Sequence, residues 1–151
     1  MILVIGGYAQ GKLEYVISKY SVSDEDVYDF EKLNALRDID NTSRNDNHNE
    51  DDCRFMELLE SKSDRYIVFN NMNYLIKKVI KDGNNIDDLI EKLIADYPNA
   101  IIITDEVGNG IVPVDKNERL LREKIGRIQC FLAEKAKEVV RVTCGIGQKI
   151  K

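Results

Sequence analysis

The chain has 151 residues, a formal net charge of −5 and an isoelectric point near 5.0, with 43% apolar and 32% charged residues. That length suits a single domain over 1–151 with a proper core, and the acidic balance argues against nucleic acid or a membrane surface as partner, because such binding draws on clustered Lys and Arg. No run approaches the roughly 20 apolar residues that cross a bilayer, and the opening apolar run is too short and strand-like for a signal peptide, so a cytoplasmic protein without a membrane span is expected.

Residues 2–5 are Ile-Leu-Val-Ile, branched apolar side chains suited to a strand buried on both faces of a parallel sheet. They run directly into Gly6-Gly7-Tyr8-Ala9-Gln10-Gly11-Lys12-Leu13. The spacing Gly6-x-x-x-x-Gly11-Lys12 is that of a phosphate-cradling loop: the glycines allow close backbone approach, successive NH groups converge on anionic oxygens, and the Lys12 ammonium reaches the outer phosphates. Residues 6–13 are therefore the candidate nucleotide-binding residues, with Lys12 the candidate catalytic cation. Leu13 departs from the motif, which calls for Ser or Thr there to ligate Mg²⁺. Loss of such a ligand costs at least about 1.4–2.8 kcal/mol, the equivalent of ten- to a hundredfold, unless another group substitutes.

A helix is expected over 11–20, a turn over 21–26 and a short strand over 27–30, with Asp29 near the carboxyl end where open α/β sheets place ligands. Residues 38–52 are crowded with Asp, Asn and Glu and hold almost no apolar surface, so a mobile loop is expected there. It contains the only histidine, His48. Phe55, Met56, Leu58 and Leu59 recur at helical spacing. A buried strand follows over 66–69, ending in Asn70-Asn71, then helices over 72–81 and 86–97 separated by the turn Asp82-Gly83-Asn84-Asn85. The segment 100–106, four apolar residues and then Asp105-Glu106, is the strongest strand signal, and acids at such a strand end suit Mg²⁺ beside phosphates. A glycine turn at 107–110, a long helix over 116–135, a central strand over 138–143 and a short edge segment over 145–151 complete an α/β domain with a mostly parallel sheet. Cys53, Cys130 and Cys144 lack zinc spacing and read as thiols of a reducing compartment.

Several of these stretches, read together, point to a family. Glu106-Val-Gly-Asn-Gly-Ile-Val-Pro113, Arg119-x-x-Arg122, Gly126-Arg127 and the terminal Gly145-Ile-Gly-x-Lys-Ile-Lys151, in that order behind the Gly6-x-x-x-x-Gly11-Lys12 loop, resemble the bifunctional adenosylcobinamide kinase and adenosylcobinamide-phosphate guanylyltransferase family of cobalamin assembly. The middle, about 22–94, resembles it least. The resemblance implies a P-loop NTP hydrolase-like three-layer fold, assembly as a homo-oligomer (a trimer), GTP or ATP as substrate with Mg²⁺, and a corrinoid small molecule as acceptor. It implies two reactions: phosphorylation of the aminopropanol hydroxyl, and transfer of GMP to that phosphate through a guanylylated histidine. Carried over by position, 6–13 hold the phosphates, while Glu106, Gly108, Gly110, Val112 and Pro113 line the substrate site with Arg119 and Arg122 as anion partners.

The departures define the alternatives. Asn70 and Asn71 stand where the family has an acidic residue, the chain has no Trp, and the surroundings of His48 keep nothing of the family's histidine segment. Asp105 stands where the family has Asn; beside Glu106 it supplies the carboxylate lost at 70–71, making Asp105 and Glu106 the candidate metal ligands. Gln129 and Cys130 replace an Asn-Gln pair. The chain is thus expected to be a divergent kinase/guanylyltransferase. The alternatives are a non-catalytic nucleotide-binding or assembly protein that kept the fold, or a kinase for another small hydroxyl substrate.

Overall fold

A computed structural model describes residues 1–32, 66–108, 110 and 113–151. His48, the 38–52 segment, the helical spacing at 55–59, Cys53 and Val112 lie outside the described residues. Strand β1 (Ile2–Gly6) leads into helix α1 (Lys12–Tyr20), a 3-10 turn (Asp24–Asp26) and strand β2 (Val27–Asp29). Strand β3 (Val68–Asn70), helices α2 (Met72–Lys81) and α3 (Ile86–Asp96), strand β4 (Ile101–Asp105), helix α4 (Lys116–Lys135) and strands β5 (Glu138–Thr143) and β6 (Ile146–Lys149) follow.

The described residues form a six-stranded sheet in the order β2-β3-β4-β1-β5-β6. All neighbours are parallel except β6, which returns antiparallel on β5 as the edge. The mostly parallel α/β sheet expected from the alternation of apolar runs is therefore present. β1 lies between β4 and β5, with Gly6 opposite Asp105 on one side and Val142 on the other. Its place between two strands with helices on both faces accounts for the Ile-Leu-Val-Ile run: Leu3 packs with α2, α3 and α4 on one face and Val4 with Val16 of α1 on the other, both buried, while Ile2 and Ile5 are partly buried. Helices on both faces give three layers. No helix among the described residues is long and apolar enough to cross a membrane.

Several boundaries differ by a residue or two from the sequence reading: α1 starts at Lys12, β2 stops at Asp29, β4 spans Ile101–Asp105 and β6 Ile146–Lys149, and two further shifts have a clear cause. β3 begins at Val68 rather than 66, because Tyr66 is 41% exposed and only 68–70 pair with β2. α3 ends at Asp96, one residue early, since Tyr97 precedes Pro98 and leaves the helical region at φ −125°.

The centre of the sheet leaves no room at the end of β1. A Cβ on Gly6 would lie 2.4 Å from the Val142 carbonyl oxygen of β5. Gly6→Ala is therefore expected to lose about 1–3 kcal/mol of stability by overpacking, read by urea unfolding without nucleotide; stability equal to the parent would show that β5 can move aside at no cost.

Candidate active site

The carboxyl ends of β1 to β4 face one edge, where the parallel strands discharge into loops. At the centre of that edge lies the glycine loop of residues 6–11. Ala9 and Gly11 take left-handed φ values of 55° and 74°, and α1 starts at Lys12 without a side-chain cap. Uncapped N-terminal NH groups are what an anion at this position would engage. Lys12, 8% exposed, donates to the Gly7 carbonyl at 2.7 Å and to Asp105 Oδ1 at 2.6 Å. A buried ammonium needs such partners, and its short reach to the end of β4 follows from the register that sets Gly6 beside Asp105. Leu13 is partly buried against the apolar cluster on the α1 face. Tyr8 is 75% exposed.

β4 then delivers two acids to different partners. Asp105 pairs with Lys12, and its carbonyl accepts from Gln129 Nε2 of α4 at 2.6 Å. Glu106 anchors its own NH on the Gly6 carbonyl at 2.9 Å and is gripped by Arg141 of β5 through two contacts, 2.7 Å and 3.0 Å. Beyond it the loop passes through Gly108, at φ 110°, and approaches α4. Arg119 spends its guanidinium on the Pro113 and Val114 carbonyls, 3.0 and 2.6 Å away, so it shapes the loop from within. Arg122 lies against Gly110, within 3.8 Å of where a Cβ would stand.

A third group gathers at the ends of β2 and β3. Asp29 accepts from Asn70 Nδ2 at 2.8 Å and Asn71 Nδ2 at 3.0 Å, and from the amides of Glu31 and Lys32. Asn71 also donates to Glu31, whose other oxygen accepts from Tyr74 at 2.9 Å. This explains why Asn71, at the start of α2 with φ 58°, gives the helix no side-chain cap. Asn70 and Asn71, which the sequence shows only as lost acids, are the donors that hold a neighbouring acid. Among the described residues no group of three or more His, Cys, Asp or Glu could hold a metal ion.

With this geometry in place, comparison with known proteins is specific. The family model described as cobinamide kinase / cobinamide phosphate guanyltransferase (CobU) matches residues 29–150. The chain belongs to this family. The bifunctional adenosylcobalamin biosynthesis protein CobU of Salmonella typhimurium is 44% identical over 70 residues, which is 44% of this chain and 39% of that protein. Its Escherichia coli counterpart is 47% identical over 51 residues, 34% of this chain and 28% of that protein. The matched stretches thus span well under half of either relative. The CobU family match takes in the middle of the chain, where motifs alone show least resemblance, and begins after the phosphate loop.

The edge thus gathers Gly6, Lys12, Asp105 and Glu106 closely, and puts Arg119 and Arg122 on α4. Arg141, Glu31 and Tyr74 are the neighbours that sequence reasoning passed over; Gln129 was noted only as a replaced family position. Arg141 had a signal, as the one charged residue among 139–143 of an apolar strand; for Gln129 the sequence marked the position, and its partner on β4 rests on a contact between distant elements.

The electrostatics of this acidic group follow mainly from its own hydrogen bonds and burial. Burial pushes the Asp29 carboxyl up, but the donors Asn71, Asn70 and the Lys32 and Glu31 amides outweigh it, and its pKa lies below the ordinary value. Tyr74 is pushed up to about 12, first by its bond to Glu31, then by burial and by the charges of Glu31, Tyr8 and Asp105. A folded pKa raised above the unfolded value of 10.0 means that this bond stabilises the fold below pH 10 and is lost as pH climbs through about 12. Glu31→Gln is expected to bring Tyr74 ionisation back toward 10, read as the tyrosinate absorbance difference against Tyr74→Phe; a titration unchanged from the parent would remove Glu31 as the cause.

Proposed function

We infer that the chain binds a nucleoside triphosphate, GTP or ATP, at residues 6–13, phosphorylates the hydroxyl of a corrinoid intermediate and transfers GMP to the resulting phosphate. The observation that carries this reading is Lys12, buried to 8% exposure at the mouth of a glycine loop and poised between the Gly7 carbonyl and Asp105. The family match and the relatives named for adenosylcobalamin biosynthesis support the substrate class.

In this reading a triphosphate enters with its oxygens facing the loop amides and the N-terminus of α1. Lys12 exchanges its partners for the outer phosphates, trading a neutral carbonyl and a carboxylate for oxygens of higher charge. Asp105 is the carboxylate that fits Mg²⁺ here, because Mg²⁺ commonly takes one or two protein carboxylates and completes its shell with phosphate and water. Glu106 fits less well, as Arg141 already neutralises it through both carboxylate oxygens. Bound Mg²⁺ supplies charge neutralisation between the phosphates; the chain's own part is to align the γ-phosphorus with the acceptor hydroxyl. The loop carrying Glu106, Gly108, Gly110, Val112 and Pro113, braced by Arg119 and flanked by Arg122, would receive the corrinoid. Guanylyl transfer would run through His48, whose imidazole nitrogen attacks the α-phosphorus of GTP and releases pyrophosphate. Homo-oligomerisation, trimeric by the resemblance, belongs to the same reading. Ile146 and Ile150, 74% and 56% exposed at the edge strand, offer it an apolar surface.

One observation favours a second reading. Leu13 packs into the α1-side cluster where a metal-ligating hydroxyl belongs, as in a nucleotide-binding or assembly protein that has left the chemistry behind.

Calorimetric titration with GTP, in Mg²⁺ and again in EDTA, tests the proposal. Lys12→Ala is expected to weaken binding by about ten- to a hundredfold, the loss of charge-assisted hydrogen bonds worth roughly 1.5–3 kcal/mol. Asp105→Asn should abolish the Mg²⁺-dependent part of the affinity, and a variant that still gains as much affinity from Mg²⁺ over EDTA as the parent would remove Asp105 as a metal ligand. A parent chain that binds neither GTP nor ATP would end the catalytic reading. His48→Ala is expected to lose label incorporated from α-phosphate-labelled GTP while retaining phosphoryl transfer; undiminished incorporation would exclude His48 as nucleophile.

A further inference from the structure

The turn between β5 and β6 makes contacts that neither the sheet nor the proposed chemistry requires. Thr143 pairs with Ile146, so Cys144 and Gly145 form a two-residue hairpin loop, and their φ values of 51° and 75° are those of a type I′ turn. In that turn both central NH groups face away from the hairpin. Here they face one residue: Cys144 NH donates to Gln10 Oε1 at 2.7 Å, and Gly145 NH donates to the Gln10 carbonyl at 2.8 Å. A Cβ on Gly11 would come within 3.3 Å of Gly145 Cα, so the loop and the turn touch backbone to backbone. On each side of the contact stands a non-glycine residue with positive φ, Ala9 in the loop and Cys144 in the turn. Such conformations persist only where surrounding contacts hold them.

We propose that the β5–β6 turn is a clasp on the phosphate loop, and that Gln10 is the positioning residue that closes it. The clasp fixes the chain at 9–11 so that the loop amides converge before a triphosphate arrives. The consequence for binding rests on the reading that this loop holds a nucleotide; the clasp itself does not. Preorganisation removes an ordering cost that the ligand would otherwise meet. Because coupling is reciprocal, a triphosphate on the loop must tighten the hairpin as much as the hairpin tightens the site. The C-terminal hairpin thus becomes part of the nucleotide site without touching the nucleotide.

Gln10→Met keeps side-chain length and removes the acceptor, and Gln10→Glu keeps an acceptor oxygen in place. Amide hydrogen exchange resolved by NMR reads the clasp, and calorimetric titration with GTP reads its effect. Exchange at Cys144 is expected to rise at least about tenfold in Gln10→Met and to return to the parent rate in Gln10→Glu, with melting temperature and exchange in β1 and β4 unchanged. Gln10→Met should bind GTP about tenfold more weakly, and GTP should slow exchange at Cys144 and Gly145 in the parent. Equal exchange at Cys144 in the parent and Gln10→Met overturns the clasp. Equal GTP affinity overturns the positioning role. A parent that binds no GTP sinks the nucleotide reading and the positioning role together, while exchange at Cys144 still decides whether the clasp exists.

Discussion

A lysine ammonium buried at the edge of a parallel sheet must be neutralised, and much of the site's form follows from how that is done. Lys12 is 8% exposed and lies 2.6 Å from Asp105. An unpaired charge at such depth would be unstable, so the end of β4 has to deliver a carboxylate beside the end of β1. The sheet order meets that demand: β4 is the neighbour of β1, and the register puts Asp105 level with Gly6. Gly6 in turn must lack a side chain, since β5 closes in from the other side with the Val142 carbonyl. The ion pair, the missing Cβ and the order β4-β1-β5 are one arrangement seen from three positions.

Adjacent acids need not act together. Asp105 and Glu106 follow one another in the chain and invite reading as a metal pair, but consecutive side chains leaving a strand point to opposite sides. One meets Lys12 at the end of the glycine loop and the other meets Arg141, two strands along the sheet from β4. Glu106 also hydrogen-bonds through its NH to Gly6, so its contribution is to pin the exit of β4 to the exit of β1. The acid at Asp29 follows the same logic in reverse. Asn70 and Asn71, neutral and donor-rich, hold its charged form where two further acids would have repelled it.

The sheet's far edge is equally engaged with the centre. β6 looks like a peripheral addition, yet Gly147 leaves space that the Tyr15 ring of α1 occupies, and Gly145 meets Gly11. The glycines at 145 and 147 that mark the family resemblance therefore have a local physical reason: they let α1 and the glycine loop lie against the hairpin. The family match includes this hairpin and α4, which brings Gln129 to the Asp105 carbonyl.

The sequence by itself determined the elements and the loop. An apolar Ile-Leu-Val-Ile run, a glycine turn ending in lysine, and apolar stripes at helical spacing fix local conformation through periodicity and backbone freedom, which act over a few residues. For that reason β1, α1, α2, α4 and β5 stand where the pattern put them, and the motifs at 106–113 and 145–151 pointed to the CobU family that the comparison found. Boundaries governed by neighbours, such as the late start of β3, were not visible, because strand pairing is a property of two segments. Only the tertiary structure decided that Lys12 pairs with Asp105 across 93 residues, that Arg141 takes Glu106, and that Gln10 receives two amides from a turn 134 residues away. Each of those contacts depends on strand order and register, and a single chain pattern carries no record of which strands become neighbours.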